Sequence, residues 1–134
     1  MKKKILSLLL VLSLMFVFTT SVFASTNVSV ANTGGTSHLN IYPGKSQTIN
    51  VRSRNMSCKD DTLSIGLILN TPYPQYTVMV YDMTENKVVS FKRFNDPSLY
   101  YSFGRIIDCR NDYQIIITNI GDTVIEGHAL VVVR

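Results

Sequence analysis

From residue 37 onward the chain alternates between apolar and polar positions with a period of two, and turn residues interrupt the alternation at short intervals. Ser37-His38-Leu39-Asn40-Ile41 and Thr48-Ile49-Asn50-Val51-Arg52 both alternate, and Pro43-Gly44 between them joins one fixed φ to one permissive residue. The pattern predicts a hairpin of two strands. Leu63, Ile65, Leu67 and Leu69 fall on one face of a third strand, whereas Tyr76-Thr77-Val78-Met79-Val80-Tyr81 is apolar on both faces, as a central strand requires. A tight turn at Thr84-Glu85-Asn86-Lys87 leads to a returning strand from Val88 to Phe94. Further extended segments run from Tyr100 to Ile107, from Tyr113 to Asn119 and, after Gly121-Asp122, from His128 to Val133.

No stretch of this region keeps apolar residues at helical spacing for three turns, and β-branched residues crowd the places where a helix would sit. About eight short strands cannot bury both faces of one open sheet. They predict an all-β fold, a two-sheet antiparallel β-sandwich of jelly-roll type, in which connections such as Arg54 to Thr62 and Asn95 to Ser98 cross between sheets.

The first 24 residues follow a different rule. Lys2, Lys3 and Lys4 precede an almost unbroken apolar run from Ile5 to Phe18, and Val22-Phe23-Ala24 offers small residues where signal peptidase reads them. The run is shorter than the roughly 20 residues that span a bilayer. Residues 1–24 are therefore expected to be a cleaved signal peptide and 25–134 a single secreted, extracellular domain with no membrane span after cleavage. Cleavage changes the charge: the chain has 13 basic and 9 acidic residues, and three of the basic ones leave with the signal, so the mature domain carries a net charge of only about +1. That balance gives no general attraction to nucleic acid or to an anionic membrane.

The succession Pro43-Gly44-Lys45-Ser46-Gln47-Thr48-Ile49-Asn50-Val51, then Tyr76 to Asp82 with its polar turn, then Tyr113-Gln114-Ile115-Ile116-Ile117 and a closing Ala129-Leu130-Val131-Val132-Val133, resembles bacterial pre-peptidase C-terminal domains over about residues 43–133. The resemblance rests on strand patterning and implies a secreted jelly-roll module. Members of that family are usually appended to exported peptidases, and some bind calcium, collagen or polysaccharide. This chain carries no peptidase and adds a cysteine pair, so no ligand-binding residue is transferred from the family.

Cys58 and Cys109 are the only cysteines, and an even count in an exported chain favours a disulfide between them. Closing a loop of roughly fifty residues is worth about 4 kcal/mol in the chain-entropy model. Such a bridge would gather Asp60 and Asp61 near Asp108 and Asp112, an oxygen-rich set suited to a hard cation such as calcium, although Lys59 and Arg110 stand beside them and offer plain salt bridges instead. Beyond calcium, no cofactor is expected. His38 and His128 are the only histidines; neither lies in a metal or nucleophile motif, and both read as exposed or edge-strand positions. The sequence therefore predicts no enzyme. Asn27-Val28-Ser29 and Asn55-Met56-Ser57 match the glycosylation pattern, but the lysine-led signal looks bacterial and makes them coincidental.

Aromatic residues supply the second candidate site. Tyr73 and Tyr76 lie in Thr71-Pro72-Tyr73-Pro74-Gln75-Tyr76, and Tyr100-Tyr101 follow the turn at Asn95-Asp96-Pro97. Tyrosines on a proline-restricted loop lose little entropy on binding and offer both an apolar face and a hydroxyl, which suits sugar rings or protein surfaces; the alternative is that the rings cap the sandwich core. The reading favoured by size, export and loop aromatics is a non-enzymatic binding module for an extracellular envelope glycan or surface protein. An inhibitor, effector or matrix component acting through a protein partner stands second, and an enzyme or toxin third.

Overall fold

The computed structural model describes residues 24–25, 35–52, 62–108 and 110–133. Cys58 and Cys109, Asp60 and Asp61, and most of the segment read as a signal peptide lie outside these residues. Among the described residues nine strands are formed: β1 (Ala24–Ser25), β2 (Gly35–Ile41), β3 (Ser46–Arg52), β4 (Thr62–Leu69), β5 (Tyr76–Asp82), β6 (Lys87–Phe94), β7 (Ser98–Arg105), β8 (Asp112–Asn119) and β9 (Ile125–Val133). They make a five-stranded sheet in the order β1-β3-β8-β5-β6 and a four-stranded sheet in the order β2-β9-β4-β7. The eight long strands pair antiparallel, and the two-residue β1 lies parallel to β3.

The alternation seen in the sequence is the alternation of burial. Leu63, Ile65, Leu67 and Leu69 of β4 face Ile49 and Val51 of β3, Ile115 and Ile117 of β8 and Val78 and Val80 of β5 in one continuous core. Among successive long strands, only β5 and β6 are hydrogen-bonded to each other; every other connection carries the chain to the opposite sheet. This is the jelly-roll arrangement.

The predicted β2–β3 hairpin is not formed. β2 pairs with β9 and β3 with β8, so the Pro43-Gly44 turn joins two sheets instead of two neighbours. The buried Gln47 side chain explains why the facing edges are tolerated. Its Nε2 donates to the His38 carbonyl at 2.7 Å and its Oε1 accepts from the Asn40 amide at 3.2 Å, so one side-chain amide does for β2 what a strand backbone would. Asn119, fully buried at the end of β8, fastens the same end of the sandwich. Its Nδ2 donates to Ile41 O at 2.8 Å and Thr123 O at 2.7 Å, and its Oδ1 accepts from Gly121 N at 2.9 Å.

The opposite flank, where β6 and β7 form the sheet edges, is closed by rings. Tyr76, Phe94, Tyr101 and Phe103 follow one another with centroid separations of 5.8, 5.2 and 5.0 Å, the last two contacts being edge-to-face.

Candidate binding face on the four-stranded sheet

The four tyrosines proposed for binding go to different places. Tyr76, expected on a surface loop, is instead fully buried at the start of β5: its phase matches Val78 and Val80, and its hydroxyl donates to Asp96 O at 3.0 Å. Burial, with the Asp96 charge, raises its pKa far above the ordinary phenol range. Tyr101 is half-buried in the aromatic flank. Tyr73 is 90% exposed, with φ +52° between two prolines. Its loop is pinned by Thr71, whose hydroxyl donates to Val124 O at 2.8 Å and accepts from Glu126 N at 3.2 Å. Tyr100, one residue from Tyr101 and therefore on the other face of β7, is 65% exposed.

Tyr100 lines a groove of about 420 Å³ on the outer face of the four-stranded sheet, together with Ile68, Leu130, Gly66 and His128. The register explains the shape. Gly66 pairs with Leu130 on one side and Tyr100 on the other, so a residue without a side chain lies between two large ones. A Cβ at Gly66 would stand 3.7 Å from Leu130 Cβ and 3.8 Å from Tyr100 Cδ2; the floor is open because that atom is missing. In the next row Ile68 stands 67% exposed beside Ser98 and His128.

The groove was not foreseen, yet it left a trace in the sequence. Ile68 and Leu130 are apolar residues out of phase with the inward-facing sets of their own strands, where a half-buried sheet normally carries polar residues. The histidines left no local trace. His38 and His128 are ninety positions apart in the chain but directly opposite in the β2–β9 register, their rings 5.3 Å apart and nearly perpendicular.

At one end of the sandwich the acidic residues are engaged with their surroundings. Arg110 clasps Asp108, donating from Nη2 to Oδ2 at 2.5 Å and from Nε to Oδ1 at 2.9 Å, and this contact lowers the Asp108 pKa to about 2. Asp112 lies opposite Arg52 in register and receives its backbone hydrogen bond from Met83 N, while its own amide donates to Thr84 Oγ1 at 3.0 Å. Asp82, not singled out from the sequence, is the buried carboxylate here. Burial by itself would raise its pKa, but hydrogen bonds from the amides of Glu85 and Thr84, at 2.9 Å each, and from Asn111 Nδ2 at 2.9 Å outweigh that and hold it below the ordinary value. Among the described residues no group of three or more His, Cys, Asp or Glu side chains is placed to hold a metal ion.

No protein-family model matches the chain, and no curated protein matches it in sequence. Solved structures do share its fold. A mitogen from Yersinia pseudotuberculosis superposes with a TM-score of 0.55 at 11% identity, over 78% of this chain and 88% of that one. A periplasmic inhibitor of g-type lysozyme from Aeromonas hydrophila gives 0.54 at 9% identity, over 82% and 97%. The pre-peptidase C-terminal domain of a Bacillus anthracis collagenase gives 0.52 at 10% identity, over 84% and 96%. The likeness to pre-peptidase C-terminal domains read from the strand pattern is thus a likeness of fold, a β-sandwich that this chain shares with all three.

Proposed function

We propose that the chain is an exported, non-enzymatic binding module that receives an apolar side chain of a protein partner in the Tyr100 groove. One observation carries this reading: the outer face of the four-stranded sheet holds a concave, largely apolar site where a half-buried sheet normally presents polar residues. A sugar needs several convergent hydrogen-bonding groups, and a groove walled by Ile68, Tyr100 and Leu130 suits an aliphatic or aromatic side chain better. The lysozyme inhibitor of the same fold acts on a protein, which supports the choice. In this reading residues 1–24 direct export and are removed, and the partner is met outside the cell.

The test is comparative. Protein purified from the secreting cells would be immobilised beside its Tyr100→Ala and Gly66→Ala variants, and each exposed both to proteins of the surrounding medium and to envelope polysaccharides. The Gly66→Ala methyl meets only ordinary contacts, so it fills the floor without straining the sheet. A protein held by the native chain and released by both variants supports the reading. Retention of a glycan in their place makes Tyr100 a sugar platform, and a partner held equally by all three rules out the groove. N-terminal sequencing of the secreted protein should begin at Ser25.

A further inference from the structure

We infer that His38 and His128 form a two-imidazole site for a divalent transition-metal ion on the outer face of the β2–β9 pair. Two imidazoles bound to one tetrahedral ion, with metal–nitrogen bonds of about 2.0–2.1 Å, place their ring centres roughly 5 Å apart. The separation here is 5.3 Å. The rings now meet edge to face at 81°, and both are exposed, so packing does not fix either ring in that orientation.

Three further features favour the site. The backbones are fixed: His38 and His128 are direct partners in a seven-residue antiparallel register, and the His38 carbonyl is held by the buried Gln47 amide at 2.7 Å, so a chelate gains from ligands that are already in place. Among the described residues the side-chain partner of each imidazole is the other, and no acid competes for its nitrogens. Finally, the next pair along the same face is Asn40 and Glu126, which puts one negative charge close to an incoming cation. Two protein ligands leave the remaining positions to water, and imidazole donors select copper, nickel and zinc over calcium or magnesium.

The site borders the groove through His128, but it is tested without a partner, so its failure and that of the groove are read separately. The purified, chelator-dialysed protein is titrated with Cu²⁺, Ni²⁺, Zn²⁺ and Ca²⁺ by calorimetry, in parallel with His38→Ala and His128→Ala. Both side chains are exposed, so both variants should keep the native circular dichroism. One ion per chain is expected, tightest for Cu²⁺ and absent for Ca²⁺, with a rise of at least about 4 °C in Tm at saturation. Each single variant should lose affinity at least tenfold. Equal binding by either variant, loss in only one of them, or no binding by the native chain up to millimolar metal would each overturn the site.

Discussion

The outer faces of the two sheets carry similar numbers of apolar side chains and put them to different ends. On the five-stranded sheet Ile116, Met79 and Phe91 form a row across β8, β5 and β6. Side-chain hydrogen bonds lie on either side of that row, Ser46 to Thr118 at 2.7 Å and Gln114 to Asn50 at 3.1 Å. No position of that row is a glycine, so a side chain stands at each of them. On the four-stranded sheet the equivalent row is Leu130, Gly66 and Tyr100, and the missing side chain at its centre turns a flat apolar strip into a groove. On the proposed reading, relief and not exposed apolar area alone sets the two faces apart.

The harshest way to break this comparison is to damage one sheet only. Gly127 of β9 has φ +153°, and a Cβ there would lie 2.2 Å from Ile68 O and 2.8 Å from Leu69 Cα. Backbone cannot yield by that much, so Gly127→Ala should cost about 4 kcal/mol or prevent folding, measured by chemical denaturation. Asn119→Ala comes next and strikes both sheets together. It strips Ile41 O, Thr123 O and Gly121 N of a buried partner and should cost about 2–3 kcal/mol by the same measurement, with no preference for either face in hydrogen exchange.

A gentler pair of substitutions sharpens the contrast. Tyr100→Ala and Phe91→Ala remove rings of similar exposure from the two outer faces, and both should leave the stability within about 0.5 kcal/mol. Only Tyr100→Ala should weaken partner binding, by tenfold or more, whereas Phe91→Ala should stay within about twofold; equal losses would mean that relief is irrelevant.

Acid supplies the smallest effect. Asp82 closes the β5–β6 turn of the five-stranded sheet, and the hydrogen bonds it accepts there hold its folded pKa below the ordinary carboxylate value. A depressed carboxylate contributes stability that is fully present above the unfolded value and is lost as pH falls from about 4 through the lower folded value. Hydrogen exchange at low pH should therefore show the β5–β6 turn opening before the groove. Asp82→Asn should flatten that part of the pH profile while lowering stability at neutral pH.

How much of this could be read in advance follows from how local each signal is. Strand positions are local: the Leu63, Ile65, Leu67, Leu69 alternation is the buried face of β4, and the Thr84-Glu85-Asn86 turn is the one hairpin among the described residues. Strand partnership is not. The Pro43-Gly44 turn was legible, but the sheets on either side of it were set by the Gln47 amide and by the pairing of β2 with a strand that begins at Ile125. The tyrosines divide in the same way. Proximity to Pro72 and Pro74 suggested a surface loop for Tyr76, while its phase with Val78 and Val80 pointed inward, and phase decided. Period two also put Tyr100 and Tyr101 on opposite faces of β7, a distinction that reading them as one aromatic pair obscured. The groove needed Gly66, Leu130 and Tyr100 from three strands, and the histidine pair needed the two ends of the domain.

That last pairing bears on when the protein becomes competent. The groove takes Thr36 from β2 and Leu130 from β9, the first and last long strands of the domain. Until β9 has been synthesised and has inserted between β2 and β4, the four-stranded sheet has no centre, and neither the groove nor the facing imidazoles exist. On the proposed reading, a chain in which β9 is missing would be blind to the partner, because β9 lies between β2 and β4.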